Sequence, residues 1–168
     1  MRKVLGVGVA LLLLLAVAGL AAAGGNRNYS VHLNGDTEVP ANASLAAGQA
    51  IFHLSPDGTS LDYKLIVANL DNPVAAHIHI GPPGVNGPVV AFLFGPAAPG
   101  GGTANGVIAE GTITAANLVG PLAGQPFSAL VDALNSGDAY VNVHTNDGVP
   151  PTGTGPGDLP GGEIRGNF

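Results

Sequence analysis

Cysteine and tryptophan are absent from the 168 residues, and aromatic side chains make up only 5%. Without cysteine there is no disulfide and no lipid anchor on an N-terminal cysteine, so the fold must hold by packing alone. Charge is scarce as well: 10% of the residues are Asp, Glu, Lys or Arg, with five basic against eleven acidic. A chain this poor in basic residues is a bad match for nucleic acid or an anionic membrane surface. Glycine (27) and proline (14) are plentiful beside a hydrophobic fraction of 46%. That apolar content excludes a disordered chain and points to short apolar strands separated by many turns.

One apolar run is long. Arg2 and Lys3 precede Val4 to Leu20, and Ala21-Ala22-Ala23 offers the small residues a signal peptidase cleaves after. Residues 1–23 are read as a secretory signal peptide, with an uncleaved membrane anchor as the alternative at roughly 17–25 apolar residues. Cleavage leaves residues 24–168 with no membrane span and places them in a secreted, periplasmic or cell-surface setting. Without Arg2 and Lys3, three basic residues face eleven acidic ones, a net charge of −8. A chain of about 145 residues suits a single domain, and no internal repeat divides it.

Alternation marks most of that domain. "YSVHL" (29–33), "GQAIFHLS" (48–55), "TSLDYKLIVANL" (59–70), "VAAHIHI" (74–80), "PVVAFLF" (88–94), "VIAEGTIT" (107–114), "AYVNVHT" (139–145) and "GGEIRGNF" (161–168) read as strands. "SPDG" joins the second to the third as a tight hairpin. "GPAAPGGGTANG" (95–106) and residues 146–162 read as loops, the latter long and mobile. Phe127, Leu130, Val131 and Leu134 have helical spacing and Gly137 sits where a helix would stop, so 125–136 is expected to be a short amphipathic helix. The expected class is all-β: an antiparallel Greek-key β-sandwich of about seven to nine strands with one short helix.

The five histidines are unevenly placed. His77 and His79 point to one side of their strand, with Ile78 and Ile80 on the other. Tyr140, Asn142 and His144 oppose Val141 and Val143, and Glu163, Arg165 and Asn167 oppose Ile164 and Phe168. If these strands are neighbours, His77, His79, His144, Glu163 and Arg165 form one patch. Three imidazoles suffice for copper or zinc at ~2.0–2.1 Å and leave a position open. The alternative is three hydrogen-bonded surface residues with structural duties. Glu163 and Arg165 are close enough for an exposed ion pair, worth about 0–1 kcal/mol, and the favoured reading makes Arg165 a structural clamp to Glu163 or to a neighbouring carbonyl. Otherwise Arg165 draws anions toward the histidines, or Glu163 fixes an imidazole tautomer. His32 and His53 stand alone and are read as solvated, and Glu38 as a turn contact. No serine has the surroundings of a hydrolase nucleophile.

"AAHIHIGPPGVNGPVV", "AYVNVHT" and "GEIRGNF" resemble the signature blocks of the CHRD domain, named for chordin and frequent in exported bacterial proteins. "TEVP" (37–40) and "LDYKLIVANL" fit the same pattern, so the resemblance spans roughly 29–168. It implies a secreted β-sandwich without fixing a biochemical role; the reading favoured for this chain is a module that binds an extracellular protein, a surface polymer or a metal ion. The order His77, His79, His144, Arg165 also resembles, more weakly, copper/zinc superoxide dismutases. The zinc ligands of that family are missing: no histidine lies between 80 and 143. That resemblance implies at most a mononuclear three-histidine copper site, and with it a redox enzyme as the alternative to a binding module. No catalytic residue is assigned.

Overall fold

A computed structural model describes residues 27–168. The expected signal peptide at 1–23 lies outside the described residues. The elements are β1 (Asn28–Asn34), β2 (Ala47–Leu54), β3 (Ser60–Asp71), β4 (Pro73–Ile80), β5 (Val89–Phe94), β6 (Thr103–Thr114), α1 (Ser128–Ser136), β7 (Ala139–Thr145) and β8 (Ile164–Asn167). Short 3₁₀ turns follow β1 and β6. All eight strands belong to one antiparallel sheet in the order β5-β4-β7-β8-β1-β2-β3-β6.

The alternating sequence fixes which side of each strand meets the core. Tyr29, Val31 and Leu33 on β1, Ala50 and Phe52 on β2, and Leu61 and Leu65 on β3 are buried. Asp62 and Lys64 between them are exposed. Alternation in β3 breaks between Val67 and Leu70, where the register against β6 shifts and Asn69 takes a φ of 55°. That bulge returns Leu70 to the core. Each fully buried Leu or Phe stabilises the fold by about 1.5–3 kcal/mol.

The chain crosses from one end of the sheet to the other after β3, β5 and β6, which is how strands far apart in sequence become neighbours. The sheet rolls until its edges approach: Tyr63 on β3 donates its hydroxyl hydrogen to the Leu93 carbonyl of β5 at 2.8 Å. The result is an all-β, sandwich-like near-barrel. Helix α1 packs Leu130 and Leu134 onto it and ends at Gly137, whose φ of 77° suits glycine. The helix begins three residues later than its spacing suggests, because Pro126 and Phe127 form the turn into it.

Two expectations need correction. β6 starts at Thr103, inside the segment read as a loop, because Ala104 and Thr103 pair with Leu70 and Asp71 beyond the bulge. The segment 146–162 is tied down in its second half. Thr145 N–H donates to Leu159 O, Asn72 Nδ2 to Gly157 O, and buried Asp158 accepts from Thr154.

Candidate metal centre

β4, β7 and β8 are consecutive in the sheet, and register aligns their outer faces. His77 lies opposite Asn142, His79 opposite Tyr140, and Asn142 opposite Arg165. Alternation sends the aliphatic residues of these strands inward and this polar set outward. The outward set is nevertheless covered. His79, Tyr140, Asn142, Glu163 and Arg165 are all buried, and His77 and His144 are partly so. Three loops form the roof: residues 35–46, 81–88 and 155–162.

His77, His79 and His144 converge, with one ring nitrogen from each within 4.8 Å of the others. His77 Nδ1 and His144 Nε2 are 3.1 Å apart. Two nitrogens bonded to one tetrahedral ion at ~2.0–2.1 Å would be about 3.3 Å apart, so this pair needs little adjustment. From a separation of up to 4.8 Å, His79 has to close by up to about 1.5 Å.

Backbone carbonyls fix two of the tautomers. His79 Nδ1 donates to Gly87 O at 2.9 Å, and His144 Nδ1 donates to Pro160 O at 3.0 Å. A carbonyl only accepts, so each Nδ1 carries the hydrogen and each Nε2 presents a lone pair toward the cluster. His79 Nε2 is buried and has no hydrogen-bond partner. Position 87 has to be glycine, because a Cβ there would run into the Ile80 carbonyl. Desolvation holds all three imidazoles below the ordinary histidine pKa. For His77, burial and then its histidine neighbours push the value down to about 4. The rings are therefore neutral at pH 7, the form that metals bind.

Glu163 and Arg165 do not form the exposed ion pair that their spacing suggests. Both are fully covered, at 1% and 0% exposure, and each has other partners. The Glu163 carboxylate accepts from Ser44 Oγ and Thr145 Oγ1 at 2.5 Å and from Gly157 N–H at 2.7 Å. It stitches two roof loops to the sheet. Arg165 donates to Asn167 Oδ1, Asn86 Oδ1, Val85 O and Pro82 O at 3.0–3.4 Å. Its guanidinium lies 3.4 Å from the centre of the Tyr140 ring, and that ring stacks on His79 at 4.7 Å and 10°. Arg165 is thus a clamp, as favoured, but on the carbonyls and Asn86 of the 81–88 loop and not on Glu163. Neither side chain touches an imidazole, because β8 runs on the far side of β7 from β4.

Sequence reasoning put Tyr140 and Asn142 on the polar face without giving them a role, and read Glu38 as a turn contact. The alternation of Tyr140, Asn142 and His144 was a signal for the first two. Glu38 had none, since its burial depends on the roof. It is 5% exposed, its Oε1 has no hydrogen-bond partner among the described residues, and its Oε2 accepts from the Val39 N–H at 3.2 Å. Burial raises its pKa to about 7, against smaller opposing effects of Val39, Arg165 and Asn142. His32 and His53 are exposed, as read.

Comparison with protein families matches residues 29–154 to the CHRD domain. The chain belongs to that family. The match ends within the 146–162 loop, so β8, with Arg165, and Glu163 just before it lie beyond it, a shorter reach than the 29–168 suggested by the signature blocks. No curated protein and no solved structure matches the chain. Among the described residues no helix is long and apolar enough to cross a membrane.

Proposed function

We propose that this CHRD protein is an exported binding module whose three-histidine cluster holds one copper or zinc ion. The observation that carries the reading is the buried, partnerless Nε2 lone pair of His79 facing two further imidazoles. In the ion-free protein His77 Nδ1 must donate to His144 Nε2, since the latter is already an acceptor. Moving that hydrogen to His77 Nε2 keeps the ring neutral and turns three nitrogens toward one point. Carbonyl partners on the opposite nitrogens are the supports that metal-binding histidines need. The exported setting rests on the N-terminal sequence, and the partner is an extracellular protein or a surface polymer.

The alternative is a mononuclear copper redox enzyme. It required Arg165 to face solvent and draw in an anion, and a guanidinium at 0% exposure offers no such field. The test is metal analysis of protein exported into an oxidising compartment, with Cu(II) and Zn(II) titrations followed by melting temperature. One equivalent should bind and raise the melting temperature, and His79→Ala should abolish the effect. No binding and no shift would remove both readings. Copper-dependent superoxide dismutation by the loaded protein would favour the enzyme.

A further inference from the structure

β5 is apolar from Val89 to Phe94, and its side chains are buried or half-buried except that of Phe92, which is 53% exposed. Pairing with β4 slips twice, between Ala76 and His77 and again between Ile78 and His79. Leu93 and Val90 are the residues left without a partner at the two slips, and both stay in the core. Between the slips Phe92 lies directly opposite His77. Residues opposite each other on antiparallel strands share a face, so the two bulges aim Phe92 outward beside the imidazole.

The two rings meet edge to face, with centroids 4.9 Å apart and planes at 84°. β5 flanks β4 on the side away from β7, so Phe92 walls the site on the side opposite β8 and Arg165. His79 and His144 are each held by a carbonyl on Nδ1. The hydrogen bond of His77 instead runs to His144 Nε2, and an ion on both nitrogens replaces that bond. The ring also touches His79 and His144, the other two candidate ligands. Among the described residues Phe92 is the one aromatic partner of His77 that is not itself a candidate ligand. An imidazole turns about two side-chain bonds, and fixing it on binding costs affinity. A neighbour that already restricts the ring lowers that cost.

We propose that Phe92 is a positioning residue of the three-histidine site: its ring holds His77 in the orientation that turns Nδ1 toward the ion. This rests on the metal reading of the cluster. The edge-to-face contact does for His77 what a backbone carbonyl does for each of the other two histidines. It also accounts for an apolar strand that bulges twice and leaves one phenylalanine half in water. Phe92 lies outside the hydrophobic core, so its effect falls on the ion's affinity and not on the fold.

Two variants separate positioning from packing. Phe92→Leu keeps an apolar side chain without a ring and should weaken Zn(II) binding about 5-fold, the factor for one edge-to-face aromatic pair. Phe92→Tyr keeps the ring and should restore wild-type affinity. Both ion-free variants should melt with the wild type. Wild-type affinity in Phe92→Leu, or an equal loss in Phe92→Tyr, would overturn the proposal. Proton spectra of the ion-free protein test the ring contact without any metal. The His77 ring protons should resonate alike in wild type and Phe92→Tyr and move in Phe92→Leu, where the ring current is gone. Identical positions in all three would overturn the contact. If the spectra behave as expected but the wild-type protein binds neither Zn(II) nor Cu(II), the metal reading fails and takes the positioning role with it.

Discussion

The outer face of this sheet has two halves that obey different rules. On β2, β3 and β6 nothing covers it, and its charged groups sit in water. Lys64 and Glu110 pair there at 3.3 Å with side chains 48% and 65% exposed, and His53 bonds to Asn28 in the open. On β4, β7 and β8 three loops cover the same face, and every polar group beneath them needs a protein partner. There burial lowers the proton affinity of the imidazoles and raises the pKa of the Glu38 carboxyl to about 7, and polar atoms such as His79 Nε2 are left without a hydrogen-bond partner. Strand alternation sends polar side chains outward in both halves. The roof decides whether they are surface or site.

Removing the roof's clamps should have the largest effects. Arg165→Ala takes away four hydrogen bonds and the stacking on Tyr140, and should destabilise the protein by about 3 kcal/mol in chemical denaturation. Thr145→Val preserves shape but leaves both the Glu163 carboxylate and the Leu159 N–H short of a partner. A loss of about 2 kcal/mol is expected. An exposed-half change, Lys64→Ala, should cost under about 0.5 kcal/mol. If all three are alike, the distinction between the halves fails.

Between the clamps and the surface lies the pH response, where two groups oppose each other. The three histidines have lowered pKa values when folded, so they support stability above about 6.5 and that support is lost as pH falls, for His77 down to about 4. Glu38 has a raised value, so its contribution is complete below 4.5 and is lost as pH rises through about 7. Denaturant midpoints across pH 4–7 should therefore rise more steeply with pH in Glu38→Gln than in wild type. His77→Leu should flatten the same slope.

Much of the architecture was legible because strand alternation is local. β7 falls on the residues the pattern marked, and α1 ends at the glycine that marked its stop. The start of β6 was hidden by Gly and Ala, residues that carry little strand signal of their own. At the site, alternation indicated that His77, His79, His144 and Arg165 point outward. It carried no information on what would cover them, because the roof is assembled from loops up to about 120 residues away in sequence, as in the Ser44 bond to Glu163. That is why the clamp expected of Arg165 could be read from sequence but its partners in the 81–88 loop could not, and why Glu38 passes for a turn residue.

The central claim is that the roofed half holds a single ion on three imidazoles. X-ray absorption at the zinc edge, on protein carrying one equivalent of Zn(II) at pH 7.5, addresses it most directly. The account predicts a first shell near ~2.0 Å with three imidazole nitrogens and one further light atom, lost in His79→Ala. A shell with fewer than three imidazoles, or one unchanged in His79→Ala, would contradict it.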